Sequence, residues 1–109
     1  MMATSLTLDT VRSDDGKLAL VAAGEIDLSN IEAFDQALGT ATAEVVGSGQ
    51  SLIVDLSDVQ YLDSAAINAL FTVADHIHVI AHPLLMRSLT LSGLSELATV
   101  EAARPPAQN

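Results

Sequence analysis

The sequence predicts one α/β domain, a mixed β-sheet with helices packed mainly on one side. Three observations carry that expectation. The chain opens on an alternating hairpin, a strand pattern turns into a helical one between Ser51 and Ala74, and half of the 109 residues are hydrophobic while only 3% are aromatic. Strands that alternate with helices after an initial hairpin place antiparallel and parallel neighbours in the same sheet. A chain of this length buries enough surface to fold without staples. Residues 1–102 are expected to form the domain and 103–109, ARPPAQN, a loose tail too polar and proline-rich to pack.

Each element has a local reason. Ser5 to Val11 alternates Leu6 and Leu8 with polar residues, as an edge strand does, and Ser13-Asp14-Asp15-Gly16 is a turn cluster that returns the chain as a strand over Lys17 to Ala23. Ser29 or Asn30 can cap a helix in which Ile31, Phe34, Leu38, Ala41 and Val45 keep helical spacing, and Gly47-Ser48-Gly49 ends it. Leu52 to Leu56 is apolar with little alternation, the mark of a strand covered on both faces. The segment from Asp58 to Ala65 reads as the loop where the period changes. Ile67, Leu70, Phe71 and Ala74 then form one helical stripe, giving a second helix from about Ala65 to Asp75. Ile77 to Ala81 is a short strand, Pro83 starts a third helix through about Leu91, Gly93 stops it, and a last strand covers Ala98 to Ala102.

Ser64 stands just before the second helical run, where its hydroxyl can accept a hydrogen bond from a free N–H of the first turn. That capping role is the bland alternative to any functional one.

The segment DLSDVQYLDSAAINAL resembles the signature of STAS-domain proteins of the anti-sigma factor antagonist family, in which a strand, Asp-Leu-Ser-x-Val and Asp-Ser-(Ser/Thr)-Gly lead into a helix. AAGEIDLSNIEAFDQAL, residues 22–38, is similar to that family's Gly-Glu-(Leu/Ile)-Asp strand end and first helix. LTLSGL at 89–94 is similar to its Ser/Thr-Gly-Leu after the third helix. The three blocks keep the family's order and span most of the chain. Ala65 stands where the family has a second hydroxyl residue, and Ala66 where it has glycine. A glycine-rich turn between the second helix and the next strand is missing here, and residues 103–109 stand where the family has its final helix.

The resemblance implies a STAS-like sheet and a protein that is not an enzyme. It implies an anti-sigma factor antagonist that binds an ATP-dependent anti-sigma factor of the serine-kinase type, so freeing a sigma factor for transcription. Phosphorylation of the serine after the aspartate, here Ser64, ends that binding. ATP and magnesium would belong to the partner kinase and no cofactor to this chain, and a phosphatase that restores the serine is a further implied partner. Asp27 and Asp63 match the aspartates beside the phosphorylated serine, and either can orient its hydroxyl or take its proton. By the same analogy Glu25, Asp27, Asp58 and Asp63 lie near Ser64. The docking surface is expected to comprise Glu25, Asp27 and Ser29, then Gln60, Tyr61 and Ser64, with Asn68 on the exposed side of the second helix. The methyl of Ala66 is expected to stand where glycine would let a partner's backbone come close. Two plainer roles remain open: Asp27 as a cap of the first helix, and Asp55 and Asp58 as solvated strand-end residues.

Composition narrows the alternatives. Four basic residues against fourteen acidic ones give a formal charge of −10, which repels nucleic-acid backbones and anionic lipid surfaces and favours a partner that is basic at its contact face. Cysteine is absent, so there is no disulfide and no thiolate metal site. No apolar run approaches the ~20 residues that cross a bilayer and no signal-peptide pattern opens the chain, which makes a cytoplasmic location the expectation. A serine hydrolase built on Ser64 would need a base within reach and a G-x-S-x-G turn, and His76, His78 and His82 lie a helix length or more away. The same histidines lack the spacing of a metal site and read as surface or sheet-face residues. The second binding-class reading is a STAS module of a lipid-transport or stress-signalling complex that no longer switches.

Overall fold

The computed structural model describes residues 5–104. Five strands form one sheet in the order β1-β2-β3-β4-β5. They are β1 (Leu6–Arg12), β2 (Leu18–Ile26), β3 (Leu52–Leu62), β4 (Ile77–Ala81) and β5 (Thr99–Ala102). β1 runs antiparallel to β2, and every later pair is parallel, so the sheet is mixed as expected. Helices α1 (Ile31–Val45), α2 (Ser64–Thr72) and α3 (Pro83–Leu91) connect the strands.

Burial assigns the helices to one face. Leu18, Leu20 and Ala22 of β2, Leu52, Val54 and Leu56 of β3, and Ile77, Val79 and Ala81 of β4 are buried against Phe34, Leu38 and Ala41 of α1, Leu70 of α2, and Leu85 and Leu89 of α3. Burying each such Leu or Phe contributes roughly 1.5–3 kcal/mol. The opposite face, with Ala19, Val21, Ile53, His78 and Ile80, is only half-covered.

The hairpin closes as its turn chemistry dictates: Gly16, at φ +88°, donates its N–H to Ser13 O, and Ser13 N–H bonds to Lys17 O. Gly24 has a different reason to be glycine. Its φ is +111°, and a Cβ there would lie 2.3 Å from Ser5 O, so only glycine lets β1 approach β2 at this point.

β3 differs most from expectation, running six residues past Leu56 to Leu62. Two bulges explain why residues 58–62 read as a loop. Its register against β2 shifts between Val21 and Ala23 and again between Gly24 and Glu25, so β3 holds an extra residue each time. The buried positions therefore go from Leu52, Val54 and Leu56 to Val59 and Leu62, a spacing that no longer looks like a strand. Asp55 is consequently not a strand-end residue. It is half-buried in mid-strand, where its Oδ1 accepts from the Ser57 N–H at 3.0 Å and the Ser57 hydroxyl at 2.6 Å, pinning the first bulge.

α2 ends at Thr72, and a 3-10 turn over Ala74–His76 leads directly into β4, in place of the glycine-rich turn. α3 begins at Pro83 as expected. His82 caps it, its Nδ1 accepting from the Leu84 N–H at 3.0 Å. Gly93, at φ +90°, ends that region. β5 starts one residue later than expected, and Ala103 N–H still bonds to Ala81 O, so sheet pairing reaches the first residue of the predicted tail. Residues 105–109 of that tail lie outside the described residues.

Candidate functional site

The C-terminal ends of β2 and β3 bring the sequence-predicted residues together. β2 and β3 are parallel, and their last pairs are Glu25 with Tyr61 and Ile26 with Leu62. The chain then leaves β2 into the loop 27–30 and leaves β3 through Asp63 into α2. The Asp63 N–H bonds to Ile26 O at 3.1 Å, which continues the β2–β3 pairing into the helix start.

Asp63, and not Ser64, caps α2. Its backbone is extended, and its Oδ1 accepts from the Ala66 N–H at 3.1 Å. The acceptor one residue before the first helical position reaches the third N–H of the helix. Ser64 is that first helical residue, too far into the turn to cap it, and is exposed. The other carboxylate oxygen of Asp63, Oδ2, accepts from the Leu28 N–H at 3.1 Å. One side chain thus ties the helix start to the neighbouring loop.

The loop is braced from within. Asp27 Oδ1 accepts from the Ser29 N–H at 2.9 Å and the Ser29 hydroxyl at 2.5 Å. The Asn30 side chain accepts from the Asp27 N–H and donates to Glu25 O, both at 3.0 Å. Asn30 occupies the N-cap position of α1 without a side-chain capping bond. The carboxylate of Asp27 turns over Ser29, and Asn30, not Asp27, stands at the N-cap position of α1. Asp27 directly precedes Leu28, whose N–H meets Asp63, so both predicted aspartates belong to the same loop pair.

The remaining predicted positions divide. Glu25, Ser29, Gln60, Tyr61 and Ser64 are exposed at this end, and Gln60 is the extra residue of the second bulge. Asn68, exposed and one turn beyond Ser64 on α2, shares its helical face. Asp58 does not join them. It pairs with Ala23, five residues back along β3 from Asp63, or roughly 16 Å at ~3.3 Å per residue. The bulged extension of β3 carries it away from the helix end.

Ala66 also overturns an expectation. It is 0% exposed and packs in the core, so its methyl cannot obstruct a partner. Ala65, half-buried, is the changed position nearer the surface. Leu28 lies inside the predicted docking loop but was not singled out in it, and it is 77% exposed. The signal was available: it is the one apolar side chain in the polar stretch Asp27 to Asn30.

The electrostatics are one-sided. No Lys or Arg occurs from Leu18 to Met86, a span that includes Glu25, Asp27 and Asp63. A phosphate on Ser64 would meet this acidic surrounding, offset in part by the N-terminus of α2, where an anion gains ~0.3–1 kcal/mol at an exposed site. The three histidines stand elsewhere. His82 caps α3, His78 on β4 lies 3.5 Å from Glu101, and His76 ends the 3-10 turn. Among the described residues no His, Cys, Asp and Glu side chains group as a metal site, and no helix is long and apolar enough to cross a membrane.

Comparison with known proteins places this arrangement. The family model described as Mlab, STAS domain, matches residues 10–102. No curated protein sequence gives a significant match. Among solved structures, an anti-sigma factor antagonist from Mycobacterium paratuberculosis is 28% identical, with a TM-score of 0.78 over 89% of this chain and 86% of that one. The phosphorylated form of the Bacillus cell-fate determinant SpoIIAA shares the fold at 16% identity and a TM-score of 0.60, covering 92% of each chain. The murine Solute Carrier 26 family member A9 anion transporter contains the same fold at 14% identity and a TM-score of 0.66, over 93% of this chain but 21% of the transporter. Matched along nearly all of its sheet and helices, and sharing its fold with anti-sigma factor antagonists, the chain belongs to the STAS-domain family.

Proposed function

We propose that this protein is an anti-sigma factor antagonist. It binds an ATP-dependent anti-sigma factor of the serine-kinase type, and phosphorylation of Ser64 ends that binding and returns the sigma factor to its inhibitor. The observation that carries the reading is the exposed Ser64 at the first position of α2, beside a loop held to the same helix start by Asp63. The likeness to the mycobacterial antagonist supports it. A hydroxyl so placed is open to a kinase, and the phosphate would sit on the surface that a partner must cover.

The switch follows from charge. A phosphate adds ~−1.5 to −2 to one point of an acidic surface. The domain tolerates it because the group is solvated and faces the helix N-terminus, whereas a docked partner would have to dehydrate it. The chain is therefore a binding protein that needs no cofactor, ATP and magnesium being held by the kinase. A phosphatase would reset the serine, and the cytoplasm is where such partners meet.

A non-switching STAS module is favoured by the altered surroundings of the serine, Ala65 in place of the family's second hydroxyl residue and Ala66 in place of its glycine. Purified anti-sigma factors of the kinase type from the same genome, incubated with labelled ATP, separate the two readings. Phosphate should enter the wild-type chain and not Ser64→Ala. By calorimetry Ser64→Ala should keep the partner and Ser64→Glu should lose it. Equal affinity of both variants would sink the switch, and a partner that binds without labelling the chain would favour the constitutive module.

A further inference from the structure

The end of the molecule that carries Ser64 presents two large apolar side chains that the core does not use. Leu28 is 77% exposed and Tyr61 is 51% exposed. They stand on adjoining segments at the same end of the sheet: Tyr61 pairs with Glu25 at the close of β2, and the Leu28 N–H is bound by Asp63, two residues after Tyr61. Leu28 is also held stiffly. The bonds from Asp63, from Asp27 to Ser29 and from Asn30 to Glu25 fix the loop on both sides of it. An exposed side chain on an ordered backbone loses little further freedom when a partner covers it.

The surrounding charge gives the partner its character. Glu25 is the strand partner of Tyr61, Asp27 directly precedes Leu28, Asp63 binds the Leu28 N–H, and no Lys or Arg occurs in the sequence from Leu18 to Met86. An apolar centre inside a charged rim is how protein interfaces are built, with a few large central side chains carrying most of the energy. We propose that Leu28 and Tyr61 are the apolar anchors of the docking surface, and that the partner is a protein presenting an apolar pocket bordered by Lys or Arg. This rests on the antagonist reading and names what that partner must offer. It also gives the serine its leverage: a phosphate on Ser64 would place charge beside contacts that bind only when dry. The exposed Leu84 and Leu91 of α3 have no such rim, since Arg87 stands between them on the same helix.

The test uses the full chain and the genome's purified kinase-type anti-sigma factors in titration calorimetry. Leu28→Ser and Tyr61→Ser should each weaken binding about tenfold or more, and the loss should persist at high salt. Leu28→Met, which stays apolar, should bind within about twofold of wild type. Glu25→Gln should cost less than about threefold, an effect that disappears as salt rises. Unchanged melting temperatures show that the exposed substitutions leave the fold intact. If wild type binds a factor and both serine variants bind it equally well, the anchors are wrong while the antagonist reading stands. If no factor binds the wild-type chain, the antagonist reading itself fails and the anchors fall with it.

Discussion

The Asp63 carboxylate and the Leu28 N–H, 35 residues apart in sequence, meet at 3.1 Å and join the start of α2 to the loop after β2. The same carboxylate caps α2 through Ala66. Asp63 is thus a brace between the two halves of the site, and its work as an acceptor for two N–H groups exists whether or not a phosphate is ever transferred.

Removing the brace should loosen both halves together. Asp63→Ala is expected to cost ~0.5–2 kcal/mol, the usual worth of an N-cap, and Asp63→Asn, which keeps one acceptor oxygen for two donors, should cost less. Urea unfolding measures the loss. Hydrogen exchange should show faster exchange at both Ala66 and Leu28 in Asp63→Ala. Protection retained at Leu28 would mean that the loop stands without Asp63.

Ala66→Gly should bring the sequence nearer to its family without bringing it nearer to a kinase. Ala66 is fully buried, so glycine there loses up to ~1 kcal/mol of helix propensity and leaves a methyl-sized gap in the core. Stability in urea should fall, and the rate of phosphate incorporation should stay at the wild-type level. A faster rate would show that the methyl reaches the partner after all.

Gly24→Ala should damage the sheet rather than the site chemistry. A Cβ 2.3 Å from Ser5 O cannot be accommodated without moving β1, and φ +111° is itself unfavourable for alanine. The expected loss exceeds ~1 kcal/mol. It should appear as a lower urea midpoint together with lost amide protection along Leu6–Arg12.

Acid should open the β1–β2 turn before it unfolds the domain. The hydrogen bond from the Ser13 hydroxyl, then the backbone bond from Lys17, hold the Asp15 carboxyl below its ordinary value of 3.8. A carboxyl whose folded pKa is depressed stabilises the fold above its unfolded pKa and loses that contribution as pH falls through the folded one. The window therefore lies below 3.8. An NMR titration should show Asp15 protonating below that value, with the Lys17 amide shifting in step, and Ser13→Ala should move the midpoint upward.

The antiparallel hairpin, the helices at 31–45 and 83–91 and the strand at 77–81 were legible in the sequence, because turn residues, helical spacing and Pro83 act within a few residues of one another. So was the gathering of Glu25, Asp27, Asp63 and Ser64, once the two blocks that carry them were matched to a family. Tertiary structure decided the rest. The bulges in β3 depend on which residues of β2 stand opposite, a relation no local period contains, and they moved Asp58 away from the site. Whether Asp63 or Ser64 capped α2 turned on one residue of helix phase. Ala66 was core because α2 packs its third residue inward, which nothing in the small-residue run Ser64 to Ala66 announces, whereas the polar neighbours of Leu28 already marked it as a surface position that the loop holds out.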